Sequence, residues 1–305
     1  MQTFVLPKGI HAAVVHPFDD DYRLDEDGYR AQLEFVQRQP GITGLLINGH
    51  AGENYLTSDE EKRRIVEITR ACAGNLAITS GVYSESSTHA AAQARMLEEA
   101  GADALLVFQP FNWAVDTEPQ SILTHHKMIH DAVGTPIVLY QAPAAGRLAY
   151  SPAVIESLIG LERVLAVKDG SWELVASENV RNQINAARPE VMVFGSGDEH
   201  LMANYLIGTV GSQVSLAAVV PDIICRLWNA TEAGDWASAR QCHAVIQPLA
   251  QLIYRRAPAC RAVARLKACL HILGVIRNDA VRPPLARLDR TEYADLELAL
   301  KACAI

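Results

Sequence analysis

Lys168 ends an apolar run that has the composition of a buried β-strand. Residues 164–167, VLAV, precede it, and Asp-Gly follows. A buried ammonium group costs free energy unless it is paired or neutral. One explanation is an amine of lowered pKa that attacks a carbonyl and forms a Schiff base. The other is a side chain that simply leaves the strand for solvent. Residues 163–170 alone favour solvent, and the rest of the chain reverses that preference.

Three further apolar runs also end in polar or titratable residues. The run 42–48 is followed by GHAGE at 49–53, the run 136–140 ends in Tyr140, and the run 191–195 is followed by Ser-Gly-Asp at 196–198. In a parallel barrel the carboxyl ends of all strands lie at one rim, and active sites are built there. We therefore expect these groups to surround one opening, although they are far apart in sequence.

Short apolar runs alternate with helix-like segments over the first 220 residues. The predicted strands are 9–16, 42–48, 76–81, 102–108, 136–140, 161–168, 191–195 and 210–216. The predicted helices between them include 27–39, 58–72, 87–100 and 118–133. Ser58 and Glu61 have the spacing of a capping box at a helix start. This order predicts an α/β fold, a (β/α)8 TIM barrel. The alternative, a doubly wound open sheet, requires a Gly-rich dinucleotide loop after its first strand, and HPF at 16–18 is not one.

Only helical patterns follow residue 220. They cover 221–232, 236–254, 259–274 and 291–304. Because no strands remain for them to cover, we expect the last three to form a C-terminal helical appendix. The predicted organisation is a catalytic barrel domain over 1–232 and a helical extension over 233–305 that packs on the barrel.

Five segments resemble motifs of the dihydrodipicolinate synthase and N-acetylneuraminate lyase family. They are GHAGEN at 49–54 with Leu56 and Glu60, GADALLVFQPF at 101–111, PIVLYQAP at 136–143, LAVKDGS at 165–171 and FGSGDE at 194–199. Each motif is weak alone, but the five follow the family's order and spacing over essentially the whole chain. The resemblance implies a class I aldolase or lyase that acts on a 2-oxo acid, usually pyruvate, without a cofactor or a metal.

The resemblance also implies roles for individual residues. Lys168 would form the imine with the oxo acid, and the protonated imine would serve as an electron sink. Backbone N–H groups of Gly49, His50 and Ala51 would bind the substrate carboxylate. Tyr140 would be the general acid and base. Gln213, on the eighth strand, would face the bound oxo acid; the alternative is a hydrogen-bonded polar group of the barrel interior.

Departures from the family pattern concentrate on the acceptor side of the expected site. Ala145 stands where the synthase carries an arginine for the carboxylate of its aldehyde substrate, and Arg147 lies two residues on. The family's tyrosine pair is replaced by Phe111 and Asn112. Its small segment after the third strand is replaced by residues 83–85, Tyr-Ser-Glu. Asn112, Arg147, Tyr83 and Glu85 are therefore candidate acceptor-side residues, and we expect a reaction other than dihydrodipicolinate synthesis.

His50 and Ala51 replace two threonines of the family motif, the first of which passes protons to the catalytic tyrosine. Three hypotheses for His50 follow. Its ring relays protons to Tyr140 and titrates near neutral pH; it contacts a substrate hydroxyl or carboxylate; or only its backbone N–H matters. The sequence favours a functional ring.

Composition excludes several other classes of protein. The net charge of −8 argues against nucleic-acid binding, and no apolar run is long enough to span a membrane. The N-terminus lacks the pattern of a signal peptide, so we expect a cytoplasmic protein. None of the six cysteines forms a CxxC pair, which predicts mostly buried free thiols. His125, His126 and His130 have no HExxH context and are predicted to lie on a solvated helix face. The family resemblance implies a homotetramer.

Several activities are compatible with these residues. The leading hypothesis is a Schiff-base aldolase or lyase with an aldehyde or hydroxylated sugar-acid partner. A dehydratase of 2-keto-3-deoxy sugar acids would use the same Lys168 imine. A 2-oxo acid sensor without turnover belongs to another class, and the presence of both Lys168 and Tyr140 argues against it. A metal-dependent aldolase barrel is disfavoured, because no carboxylate and histidine ligand set ends the strands.

Overall fold

Eight parallel strands close into a barrel in the computed structural model, which describes residues 4–303. Each strand pairs with the next along the chain, and β8 pairs with β1. The strands are β1 Gly9–Ala13, β2 Ile42–Ile47, β3 Ala77–Val82, β4 Ala104–Val107, β5 Ile137–Gln141, β6 Val164–Asp169, β7 Met192–Gly195 and β8 Gly211–Val214. The predicted (β/α)8 fold is confirmed. β1, β4 and β8 are shorter than predicted, because residues near their ends already belong to the loops.

Helices cover the outside of the barrel and continue beyond it. They are α1 Glu26–Gln37, α2 Asp59–Cys72, α3 Ser87–Glu99, α4 Pro119–Ala132, α5 Pro152–Ile159, α6 Leu174–Ala187, α7 Leu201–Leu206, α8 Leu216–Val219, α9 Pro221–Glu232, α10 Trp236–Ala250, α11 Ala262–Ile272 and α12 Arg290–Cys303. The capping box of Ser58 and Glu61 is present at the start of α2. The sequence analysis did not delimit α5 and α6, although Ser151 caps α5 and Pro152 opens it.

The C-terminal helices pack on one another and reach the barrel mouth. α10 contacts α9 and α12, and α11 contacts the short 3-10 helix His50–Gly52 at the end of β2. The helix predicted over 236–254 ends at Ala250 and continues as a π turn, Gln251–Arg255. Pro248, inside α10, lacks the N–H that a regular helix would use, which accounts for a departure from regular geometry nearby.

Side chains of alternate strand residues fill the barrel interior. This inner cluster includes Leu46, Leu106, Phe108, Ala166 and Phe194. The intervening residues face the helices and form the larger core between the barrel and its helical coat. Because strand side chains alternate in direction, every second residue at a strand end points into the mouth. Within residues 4–303, no helix is long and apolar enough to cross a membrane.

The histidines of α4 differ from their prediction. His125 and His126 are buried rather than solvated. His125 lies 3.0 Å from the Ser87 hydroxyl and His126 lies 2.9 Å from the Tyr150 hydroxyl, because this face of α4 packs inward. The cysteines are free thiols as predicted, and four of the six are buried; Cys72 is half-buried and Cys260 is exposed.

Candidate active site

Lys168 and Tyr140 are direct neighbours on adjacent strands. The register of β5 and β6 pairs Tyr140 with Lys168, and Phe194 of β7 pairs with Lys168 from the other side. The Lys168 Nζ atom lies 5.7 Å from the centre of the Tyr140 ring. Paired residues of parallel strands point the same way, so the shared register aims both side chains into the barrel mouth.

The amine of Lys168 lies in an environment that disfavours its charge. Burial lowers the pKa of Lys168 to about 8, and the Asp198 carboxylate opposes this shift only in part. Lys168 makes no ion pair with any residue in the range that the structure describes. A substantial neutral fraction therefore exists near physiological pH, and the neutral amine is the nucleophile that imine formation requires.

Tyr140 presents a protonated phenol to the same cavity. The residue is only 8% exposed, and burial together with the Asp169 carboxylate raises the pKa of its hydroxyl above the ordinary value. Gly170 makes room for this ring, because a Cβ atom there would lie 2.8 Å from the hydroxyl oxygen. The glycine two residues after Lys168 is thus a positioning residue that the sequence analysis did not single out.

The loop after β2 is a tight turn that is held by its own backbone hydrogen bonds and by close packing of Gly52 on the His16 ring. Glu53 adopts the left-handed conformation with φ 54°, and the N–H groups of Gly52 and Glu53 donate to the carbonyls of Gly49 and His50. A Cβ atom on Gly52 would lie 2.5 Å from the ring of His16, so this position requires glycine. His50 and Ala51 are the first residues of the turn, and their N–H groups donate to none of these hydrogen bonds.

The His50 ring lies beside Tyr140 but does not titrate near neutral pH. Its centre is 4.2 Å from that of Phe108 and 5.4 Å from that of Tyr140, nearly perpendicular to the latter. Its Nε2 atom is buried and has no hydrogen-bond partner among the described residues. Burial and the nearby Lys168 charge lower the pKa of His50 to about 3. The prediction of titration near neutral pH is therefore wrong, because the ring is neutral there.

A buried carboxylate, Asp198, lies near Lys168 in the 3-10 turn Asp198–His200 that follows β7. Asp198 accepts hydrogen bonds from the Leu216 N–H at 2.7 Å and from the Tyr254 hydroxyl at 3.0 Å. The Tyr254 hydroxyl also lies 2.6 Å from that of Ser215. Burial raises the pKa of Asp198 to about 6. The sequence analysis placed Asp198 at the rim without a role, and no local signal identified Tyr254, which arrives from the C-terminal appendix.

Two connected chambers form the cavity. The inner chamber, of about 190 Å³, contains Lys168 and the Asp198 network, and the outer chamber, of about 330 Å³, opens beyond Tyr140. Residues that line both are His50, Tyr140, Trp172, Ala259, Ala262 and Val263. Gly49 and Ala51 line the inner chamber with His50, so the structure brings together the predicted carboxylate loop, Lys168 and Tyr140.

This geometry agrees with comparisons to known proteins. The sequence model of the Dihydrodipicolinate synthetase family matches residues 6–303. The chain belongs to the dihydrodipicolinate synthetase family. Members of this family are class I lyases, and the protein is an enzyme of that class.

Curated relatives and solved structures extend over nearly the whole chain. The 4-hydroxy-tetrahydrodipicolinate synthase of Methanococcoides burtonii is 30% identical over 298 residues, covering 96% of this chain and 97% of that protein. The synthase of Kineococcus radiotolerans is 31% identical, with 96% and 92% covered. A prophage protein from E. coli K12, belonging to the dihydrodipicolinic acid synthase family and solved in complex with pyruvate, superposes with a TM-score of 0.90 at 23% identity, covering 98% and 99% of the two chains. At that identity the superposition shows a shared fold.

The four candidate acceptor-side residues do not line either chamber; they are Tyr83, Glu85, Asn112 and Arg147. The Glu85 carboxylate accepts hydrogen bonds from the Tyr83 hydroxyl and from the backbone N–H groups of Phe111 and Asn112. Arg147 donates to the backbone carbonyl of Val115 at 2.8 Å. These hydrogen bonds hold the chain around Phe111, and a direct contact of the four residues with an acceptor stays a prediction.

Gln213 has the surroundings of the alternative prediction, a hydrogen-bonded interior polar group. It is fully buried inside the barrel, with its Nε2 atom 3.3 Å from Nδ1 of His11, and it lines neither chamber. His11 in turn lies 2.8 Å from the Pro7 carbonyl. The residue is an interior polar group because β8 directs it toward β1 below the mouth. No group of three or more His, Cys, Asp or Glu residues in the described chain has the arrangement of a metal site.

Proposed function

We propose that Lys168 forms an imine with the keto group of a 2-oxo acid, with pyruvate as the simplest substrate. The observation that carries the proposal is a lysine of pKa about 8 that faces the inner chamber beside Tyr140 and has no ion-pair partner within residues 4–303. The neutral amine attacks the carbonyl carbon, and the resulting carbinolamine loses water to give the imine. The N–H groups of His50 and Ala51 bind the substrate carboxylate.

In this proposal Tyr140 transfers the protons. Its phenol is protonated at neutral pH, so its first act is donation, to the hydroxyl that leaves as water. The phenolate then takes a proton from the carbon next to the imine and produces an enamine. The enamine attacks an aldehyde, or the reverse sequence cleaves an aldol. Above pH 6 the Asp198 carboxylate stabilises the positive imine.

We further propose that the natural reaction is not dihydrodipicolinate synthesis. Ala145 replaces the expected arginine, and Arg147 is bonded to backbone carbonyls outside the chambers. A carboxylate on the aldehyde would therefore lack a cation, which costs on the order of 2–5 kcal/mol, or roughly 30-fold to several thousandfold in kcat/KM. Efficient condensation of pyruvate with aspartate semialdehyde would contradict this.

Borohydride reduction in the presence of pyruvate tests the imine. Peptide mapping should find the reduced pyruvyl adduct on Lys168 alone, and labelling of another lysine or of none contradicts the proposal. Product analysis then separates the activities. A lyase or aldolase releases or consumes pyruvate, a dehydratase of 2-keto-3-deoxy sugar acids releases water without pyruvate, and a 2-oxo acid sensor is labelled but turns nothing over.

A further inference from the structure

The outer chamber differs in chemistry from the inner one. Among the described residues, no Lys, Arg, Asp or Glu side chain lines it, whereas Lys168, Asp198 and Glu199 line the inner chamber. Its walls are Tyr55, Phe111, Leu148, Trp172 and Val263, with Ala142, Pro143, Ala259, Cys260, Ala262 and three polar residues, His50, Gln109 and Tyr140. The Gln109 amide donates to the Tyr140 carbonyl at 2.5 Å, and the His50 ring is neutral. This lining is apolar and aromatic.

Two aromatic rings at the chamber are held half-exposed. Phe111 is 42% exposed and Trp172 is 38% exposed, although rings of this size normally bury most of their surface. The Glu85 carboxylate fixes the Phe111 backbone through the N–H groups of Phe111 and Asn112. The Phe111 ring packs with those of Tyr55 and Tyr83, whose centres are 6.0 and 5.1 Å away.

Trp172 is held in a conformation that its type rarely adopts. Its φ of 56° lies in the left-handed region, where a bulky residue is strained. The Arg255 guanidinium lies 5.3 Å from the centre of the indole, and the Glu199 carboxylate pairs with the same guanidinium. Carboxylates outside the outer chamber thus hold both exposed rings at its walls. Pre-positioned aromatic walls favour a flat apolar ligand.

The position of the chamber identifies which part of a substrate it receives. The outer chamber meets the inner one at Tyr140 and His50, where an acceptor carbonyl would lie against the enamine carbon. A group attached to that carbonyl would extend into the outer chamber. A charged group would lose its water there without a counter-ion, whereas an aromatic ring would exchange water for Phe111, Trp172 and Leu148.

We propose that the outer chamber binds the side chain of the aldehyde partner, and that this partner is an uncharged aromatic aldehyde. The inference rests on the imine chemistry proposed above. The enamine carbon of pyruvate bonds to the aldehyde carbon, the aldehyde oxygen takes the proton of Tyr140, and water releases a 4-hydroxy-2-oxo acid from Lys168. The reaction is reversible, so the same chamber serves cleavage of the aromatic aldol.

Competing aldehydes test this assignment with the whole enzyme and pyruvate. Benzaldehyde should show kcat/KM at least about 30-fold above succinic semialdehyde, which carries a carboxylate, and above acetaldehyde, which lacks a ring. Equal or higher values for either competitor, or condensation with none of the three, would overturn the inference. Borohydride labelling by pyruvate alone is measured in parallel. Loss of that label refutes the imine proposal, whereas a retained label with the wrong preference refutes only the acceptor assignment.

Two variants locate the preference in the chamber. Leu148→Arg places a cation in its wall and should lower the ratio of benzaldehyde to succinic semialdehyde kcat/KM at least about tenfold. Phe111→Ala removes a half-exposed ring without opening the core. It should lower kcat/KM for benzaldehyde at least about tenfold more than kcat/KM for acetaldehyde. Leu298→Arg, at an exposed position of α12, is the control and should change neither ratio. Unchanged ratios in both chamber variants would overturn the assignment.

Discussion

The cavity around Lys168 and the ionic cluster around Lys267 each contain a lysine whose pKa burial lowers to about 8. Lys267 is fully buried, pairs directly with the Glu53 carboxylate and donates to the Ala280 carbonyl at 2.8 Å. Lys168 has no such partner in the described chain and faces the chamber. Burial lowers the pKa of both, but only the lysine with access and without an ion pair is available as a nucleophile.

The Lys267 cluster supports the site without taking part in its chemistry. Glu53 ends the loop that carries Gly49, His50 and Ala51, and Lys267 belongs to α11. The Arg282 backbone N–H donates to the same carboxylate at 2.9 Å. The cluster therefore ties the predicted carboxylate-binding loop to the C-terminal helices. In the proposed mechanism Lys168 reacts with the substrate, and Lys267 holds the backbone of the loop that binds it.

The largest expected effect separates the two lysines by chemistry. Lys168→Arg should abolish the borohydride label and lower turnover by at least about 10⁴-fold, because arginine keeps the charge but cannot form the imine. Lys267→Arg should keep the label on Lys168. Mass spectrometry of reduced protein and steady-state rates measure both, and circular dichroism checks the fold. A label surviving in Lys168→Arg would assign the imine elsewhere.

Replacing Lys267 and replacing Lys168 should change the free energy of unfolding in opposite directions. Lys267→Met leaves Glu53 as an uncompensated buried charge, so the free energy of unfolding should fall by about 3–5 kcal/mol. Lys168→Met removes an amine that has no ion-pair partner among the described residues and should raise the free energy of unfolding by about 1–2 kcal/mol. Urea denaturation followed by fluorescence measures each change. The double variant Glu53→Gln with Lys267→Met should recover part of the loss, and equal effects of the two single variants would remove the distinction.

Substitution of His50 tests whether this neighbour of Lys168 also takes part in the reaction. His50→Ala should lower kcat by roughly 10²-fold while the pyruvate label persists, if the neutral ring passes protons to Tyr140. Pre-steady-state labelling and kcat with a full substrate pair separate imine formation from later steps. A loss confined to KM would instead make His50 a substrate contact. Unchanged kinetics would leave only its backbone N–H with a role.

The smallest effect concerns pH. Only the neutral amine of Lys168 attacks a carbonyl, and its pKa is about 8. The initial rate of imine formation should therefore rise about tenfold per pH unit below pH 8 and level off above it. Stopped-flow measurement of labelling over pH 6 to 10 checks this. A rate that continues to rise through pH 10 would mean that burial leaves the lysine with its ordinary pKa.

Local patterns determined the fold and the reactive pair. Apolar runs and capping signals, such as Ser58 with Glu61, located most strands and helices. A parallel barrel places all carboxyl strand ends at one rim, so the ends at Tyr140 and Lys168 predicted their proximity without knowledge of side-chain packing. The resemblance in the five motifs supplied the chemistry, because those motifs lie on the strands and loops that form the rim.

Only the tertiary structure decided how the remaining polar groups are used. Arg147 bonds to Val115, Gln213 contacts His11, and Glu53 pairs with Lys267 across 214 positions of sequence. Such partners depend on which distant elements pack together. Hydrophobic periodicity and motif spacing in the sequence do not contain that information. The neutral state of His50 has the same origin, since its pKa depends on burial by Phe108 and Tyr140 and on the charge of Lys168. The order of strands in the sequence therefore determines which groups reach the rim, and packing determines their partners, charges and access to substrate.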